Sequence, residues 1–112
     1  MVVAGKPAPP ICPHSEIVAL YHEVLPELAR VRDWTNDRQA FLRTRWREKP
    51  ERQTLDWWRK FFGYVRTCPW LMGQGVTSDD RAPFFADLEW LVRPKNFRKV
   101  IEGKYEQRSA AA

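Results

Sequence analysis

A mainly α fold, a small bundle of three main helices closed by a C-terminal helical clasp, is what this sequence predicts. Three observations carry that prediction. Apolar residues recur three and four positions apart in several segments, the spacing that lines up one face of a helix. Cap residues and prolines bracket those segments where helices start and stop. One of those segments, residues 55–65, also carries an aromatic-rich stripe on one side.

The 112 residues suit one domain, and 44% hydrophobic residues with six Trp give it enough apolar surface for a core. Residues 1–13 hold four prolines and no helical period, so they read as a proline-rich linker with extended character and something preceding it. Residues 14–106 form the expected helical domain, and 107–112 read as a disordered tail.

The first helix is expected from Ser15 as N-cap, with Ile17, Leu20, Tyr21, Val24 and Leu28 on one face. Pro26 lies inside that pattern and should kink or restart it. Thr35 is the expected cap of a second helix running to about Glu48, closed by Lys49 and Pro50. Thr54 caps a third, Leu55 to about Thr67, stopped by Pro69.

On that third helix Leu55, Trp58, Phe61, Phe62 and Val65 share a side, flanked by Trp57 and Tyr64. A stripe so rich in aromatics is expected to be core. Residues 73–83 combine two glycines, polar residues and a proline into a loop, with room for a small β-hairpin between Trp70 and Phe85. Asp87 to Val92 gives a short apolar helix or turn. Pro94 then opens a last helix that Gly103 ends, with Phe97, Val100, Ile101 and Tyr105 expected to clasp Trp90 and Leu91.

The residues able to do chemistry are few. Cys12, His14, His22 and Cys68 are the only nucleophiles, bases or soft ligands beyond ordinary carboxylates, and their spacing matches no common zinc module. Neither a metal nor any other cofactor is expected. Gly73-Gln-Gly75 lacks the Gly-Lys-Ser/Thr of a phosphate-binding loop, and no nucleophile-elbow or His-Glu-x-x-His motif occurs. The Asp79-Asp80 pair reads as solvated turn residues. The chain is therefore not expected to be an enzyme. Two cysteines are too few for a secreted disulfide framework, and no apolar run reaches the length of a membrane span, so a cytoplasmic protein with no membrane partner is expected.

The formal charge of +5 is concentrated. Residues 30–66 carry eleven Lys/Arg against five Asp/Glu, whereas the rest of the chain carries eight against nine. On the second and third helices Arg38, Arg43, Arg45, Arg47, Arg59, Lys60 and Arg66 are the candidates for a strip that follows a phosphate backbone. Trp34, Trp46 and Trp57, interleaved with them, are candidates for stacking unpaired bases. Two other readings stay open: a solvated face of alternating charges, and a basic face for an acidic protein.

Three strings, CPHSEIVALYHEVLPELARVRDW, RTRWREKPERQTLDWWRKFFGYVRTCPWLMG and FFADLEWLVRPKNFRKVIEGKY, resemble the C-terminal region of phage and prophage replication-initiation proteins. The resemblance covers about residues 12 to 105. Its most specific part is Trp70-Leu71-x-Gly73, then Asp87-Leu-Glu-Trp-Leu91, then the stretch from Pro94 to Tyr105, which is similar to the ending of replisome organisers and primosomal proteins related to DnaD and DnaT. It implies a bacterial-host primosome component, a helicase loader that binds DNA, single-stranded by preference, and recruits the replicative helicase. The alternative is a protein-interaction domain that docks on the helicase or self-associates as a homo-oligomer without touching DNA. A helix-turn-helix regulator fits less well, because the Lys49–Thr54 link has a proline and no glycine.

Overall fold

A computed structural model describes residues 11–74 and 83–106. Its helices are α1 (His14–Val24), α2 (Asn36–Glu48), α3 (Leu55–Arg66), α4 (Leu88–Val92) and α5 (Pro94–Ile101), with single 3-10 turns at Pro50–Arg52 and Pro69–Leu71. The fold is mainly α. The three longer helices come first, α1 packs on α3, α2 on α4, and α4 on α5.

Local chemistry accounts for most boundaries. The Thr35 hydroxyl accepts from the Arg38 amide at 3.3 Å, and that of Thr54 from the Trp57 amide at 3.2 Å. Asp87 caps α4 in the same way, its Oδ1 accepting from the Trp90 amide at 2.8 Å. Pro94 opens α5, where its missing N–H costs nothing. After α5 the chain turns out through Gly103 at φ +76°, a left-handed conformation glycine adopts without strain.

The start and end of α1 differ from expectation. Pro13, not Ser15, is the N-cap, and no side chain caps the helix. Cys12, assigned to the linker by composition, is buried in the core. At the other end Pro26 neither kinks nor restarts the helix; α1 stops at Val24, because Leu25 ahead of a proline leaves helical geometry. Leu28 then reaches the core from a turn, its amide donating to the Leu25 carbonyl at 3.1 Å.

The core is centred on α3. Trp58, Phe62 and Val65 are wholly buried and Phe61 nearly so. Tyr21 of α1 meets Phe62 edge-on with ring centroids 5.8 Å apart, while its hydroxyl donates to the Ala29 carbonyl at 2.6 Å. The Trp58 indole donates to the Arg52 carbonyl at 2.8 Å, so the one polar atom of that ring is satisfied in the interior.

The C-terminal clasp is present with different partners. Tyr105 stacks on Trp70, centroids 5.2 Å apart and planes 8° off parallel, and meets Trp90 edge-on. Phe97 turns instead to α3, 5.0 Å from Phe61. Ile101, expected in the clasp, is 44% exposed. The expected hairpin is a single antiparallel bridge, Met72 to Phe85, among the described residues. Residues 75–82, with Asp79-Asp80, the 1–10 part of the linker and the 107–112 tail lie outside the described residues. No described helix is long and apolar enough to cross a membrane.

Candidate nucleic-acid interface

The fold separates the seven candidate cations into three groups. The first lies on α3 and is taken up by ion pairs with α1, with the connection after it and within α3 itself. Arg59 reaches across to Glu23 at 2.7 Å, and Arg66 to Glu27 at 2.5 Å and to the Val24 carbonyl at 3.0 Å. Hydrogen bonds from Arg59 hold Glu23 below the ordinary carboxylate pKa, and those from Arg66 do the same for Glu27. Lys60 pairs with Asp56 one turn earlier at 3.1 Å.

The second group faces inward. Arg45 is 5% exposed, donating to the Val92 carbonyl at 3.3 Å and to Glu48 at 3.0 Å. Glu48 also takes Arg52 at 2.8 Å, and the Arg52 guanidinium lies 4.6 Å above the Phe97 ring. Arg45 therefore does not belong to a phosphate-binding surface: its guanidinium is engaged by the Val92 carbonyl at the end of α4 and by Glu48. Arg38 is half-buried between the Asp33 carbonyl and Glu89, each at 2.6 Å. Glu89 is shared with Arg93, whose hydrogen bond, followed by that of Arg38, holds its carboxyl low.

Only Arg43 and Arg47 remain. One turn apart on α2, they have no carboxylate or hydrogen-bond partner among the described residues. Both act on the Cys12 thiol, and Arg43 also on His14, which places them beside the uncapped start of α1. The start of α1 thus lies within electrostatic range of two cations, a setting that favours negative charge.

The three tryptophans are also separated. Trp46 is 2% exposed, part of the core, and cannot stack a base. Trp57 is half-buried, already stacked on Phe61 at 5.5 Å and 9°, with Arg52 5.6 Å from its ring. Trp34 is half-buried too, its indole N–H donating to His14 Nδ1 at 3.3 Å. It borders a cavity of about 470 Å³ whose other walls include Arg30, Arg32 and the Asp87–Glu89 turn.

Other cations are left exposed by the fold. Arg30 and Arg32 sit in the connection before α2, and Lys49 and Arg98 border one groove between the end of α2 and α5. Charge alone marks them in the sequence, since they lie off the faces of α2 and α3 that carry the seven candidates.

No group of three or more metal-ligating side chains occurs among the described residues, and the cysteines and histidines are used singly. Burial raises the Cys12 thiol to about 11 despite Arg43 and Arg47 nearby, and burial raises Cys68 as well. Both free thiols should therefore resist iodoacetamide at pH 8 in the native protein and react readily in urea. Mass spectrometry of labelled protein checks this, and native alkylation of Cys12 at the rate of an exposed thiol contradicts its burial. Comparison of the chain with protein-family models, with curated proteins and with solved structures finds no match in any of the three.

Proposed function

We propose that this chain is a replication-initiation module that binds DNA, single-stranded by preference, and helps recruit or load the replicative helicase. The observation that carries the DNA contact is the pair Arg43 and Arg47, two guanidinium groups one turn apart with no counter-charge among the described residues, within electrostatic range of the start of α1. Arginines in that state release condensed counterions when they meet phosphate, and their planar forks match its oxygens. The replication role rests on the resemblance of the chain's strings, above all the stretch from Trp70 to Tyr105.

A second reading has its own support. Five of the seven strip cations are satisfied by carboxylates of the same chain. The electrostatic footprint is thus smaller than the composition suggests, which favours docking on the helicase without DNA.

Replacing Arg43 and Arg47 with Gln separates the two. Arg47 is exposed and Arg43 half-buried, and neither is held in an ion pair among the described residues, so folding should be retained. Affinity for any oligonucleotide should fall, and the slope of log affinity against log salt should become shallower by roughly 0.7 per lost contact on single strands. Arg59→Gln and Arg66→Gln, whose cations are already engaged, should change the slope far less. Unchanged oligonucleotide affinity and slope in the double variant, with loss of binding to purified replicative helicase, would establish the docking reading instead.

A further inference from the structure

We propose that the connection between α1 and α2, residues 25–35, is a proton-operated latch held shut on α1 by two neutral histidines, His14 and His22. The inference does not depend on what the chain binds.

Three side chains of α1 fasten this connection. Tyr21 donates to the Ala29 carbonyl at 2.6 Å. His22 Nε2 accepts the Val31 amide at 3.0 Å, and His14 Nδ1 accepts the Trp34 indole N–H at 3.3 Å. In both imidazoles the nitrogen facing the connection is an acceptor. An imidazolium has no acceptor, because both its nitrogens carry hydrogen. Protonation therefore turns each attraction into two N–H groups pointed at one another. Tyr21, which donates, is indifferent to this range of pH, so the fastening nearest Leu28 persists while those at Val31 and Trp34 release.

The surrounding charges push the same way. Burial and then Arg43, reaching from α2, lower the pKa of His14; burial and then Arg30, within the connection, lower that of His22. From α3, Arg59 and Arg66 approach the same end of α1 as His22, but Glu23 and Glu27 engage them. Cys12, the neighbour of His14 along the chain, is a neutral thiol. No carboxylate is hydrogen-bonded or ion-paired to either imidazole among the described residues, so neither imidazolium has a counter-charge to stabilise it.

The sign follows. Open and closed states differ in that the open state, with exposed imidazoles of pKa about 6.5, takes up protons more readily. The closed state is fully favoured above that value and loses ground as pH falls below it, until the lowered closed-state pKa values are passed. What the latch controls is the placement of Arg30, Arg32 and Trp34, which border the 470 Å³ cavity opposite the Asp87–Glu89 turn. At the far end the Gln39 amide donates to the Trp34 carbonyl at 2.9 Å and Arg38 to that of Asp33, so release leaves the connection tethered to α2.

Nuclear magnetic resonance of the full chain between pH 8 and 5 tests the latch. Both histidines should titrate below 6.5. In the same transition the protection factor of the Val31 amide should fall, by up to about tenfold per pH unit for each histidine released, and the Trp34 indole should lose its protection. The Trp58 indole, bonded in the core, should keep its own. His22→Gln and His14→Asn offer an acceptor that does not titrate, and the double variant should hold Val31 and Trp34 protected down to pH 5. Histidines that titrate normally while Val31 and Trp34 stay protected overturn the proposal, and so does an opening step that survives in the double variant.

Discussion

Trp58→Ala is expected to cost about 3–5 kcal/mol of stability. The indole is wholly buried at the centre of α3. Its ring meets four others, Trp57, Phe61, Phe62 and Phe97, at centroid distances of 5.0 to 6.0 Å. Truncation opens a cavity that rigid neighbours cannot fill, and it also leaves the Arg52 carbonyl without its donor. Domains of this size are stable by only about 5–15 kcal/mol, so the variant should lose a large part of its cooperative transition. Urea unfolding followed by circular dichroism measures this. Trp57→Ala, at a half-buried ring, should shift the midpoint less. A Trp58→Ala midpoint within error of the parent, with oligonucleotide binding abolished, would mean the face has been assigned wrongly and the ring is a contact residue.

That residue belongs to what the sequence makes readable. The third helix carries its own evidence: a Thr cap, a regular stripe of large apolar residues and a proline beyond its end. Each of these acts within a dozen residues, so no knowledge of the rest of the fold is needed. The same is true of Thr35, Pro94 and Gly103. Ser15 has the local signature of a cap, but the helix begins at His14, after Pro13 and the buried Cys12, and burial of Cys12 in a core shared with distant segments is not written in its neighbours along the chain.

The candidate surface was much less legible, and the reason is distance along the chain. Arg59 meets Glu23 and Arg66 meets Glu27 across 36 and 39 residues, and Arg38 meets Glu89 across 51. A charge count registers the arginines but not which acids will lie against them. Arg45 and Trp46 illustrate a second cause. With Leu42 they make the buried face of α2, a stripe so short and polar that its arginine looks like a surface residue.

Glu48 is where burial of Arg45 has an energetic consequence, because two nearly buried guanidinium groups depend on it. Its carboxylate joins Arg45, with 6% of its side chain exposed, to Arg52, with 10%. Glu48→Ala strands both charges among Val92, Phe97 and Trp57, and loss of one partner from a buried pair costs about 3–5 kcal/mol. Water reaches Glu48, whose side chain is 43% exposed, so some solvent will replace the carboxylate and the expected loss is nearer 2–3 kcal/mol. Arg45→Met should cost less than Glu48→Ala. It removes a charge together with the Nε group, which is buried without a hydrogen-bond partner, and leaves Glu48 free to serve Arg52 alone. In the Arg45→Met background, Glu48→Ala should then be milder, since only Arg52 is stranded. Chemical unfolding of the two single variants and the double variant gives the coupling directly. Additive losses, or an Arg45→Met loss larger than that of Glu48→Ala, would show that Arg45 holds α2 to α4 through the Val92 carbonyl and its aliphatic stem, with Glu48 a bystander.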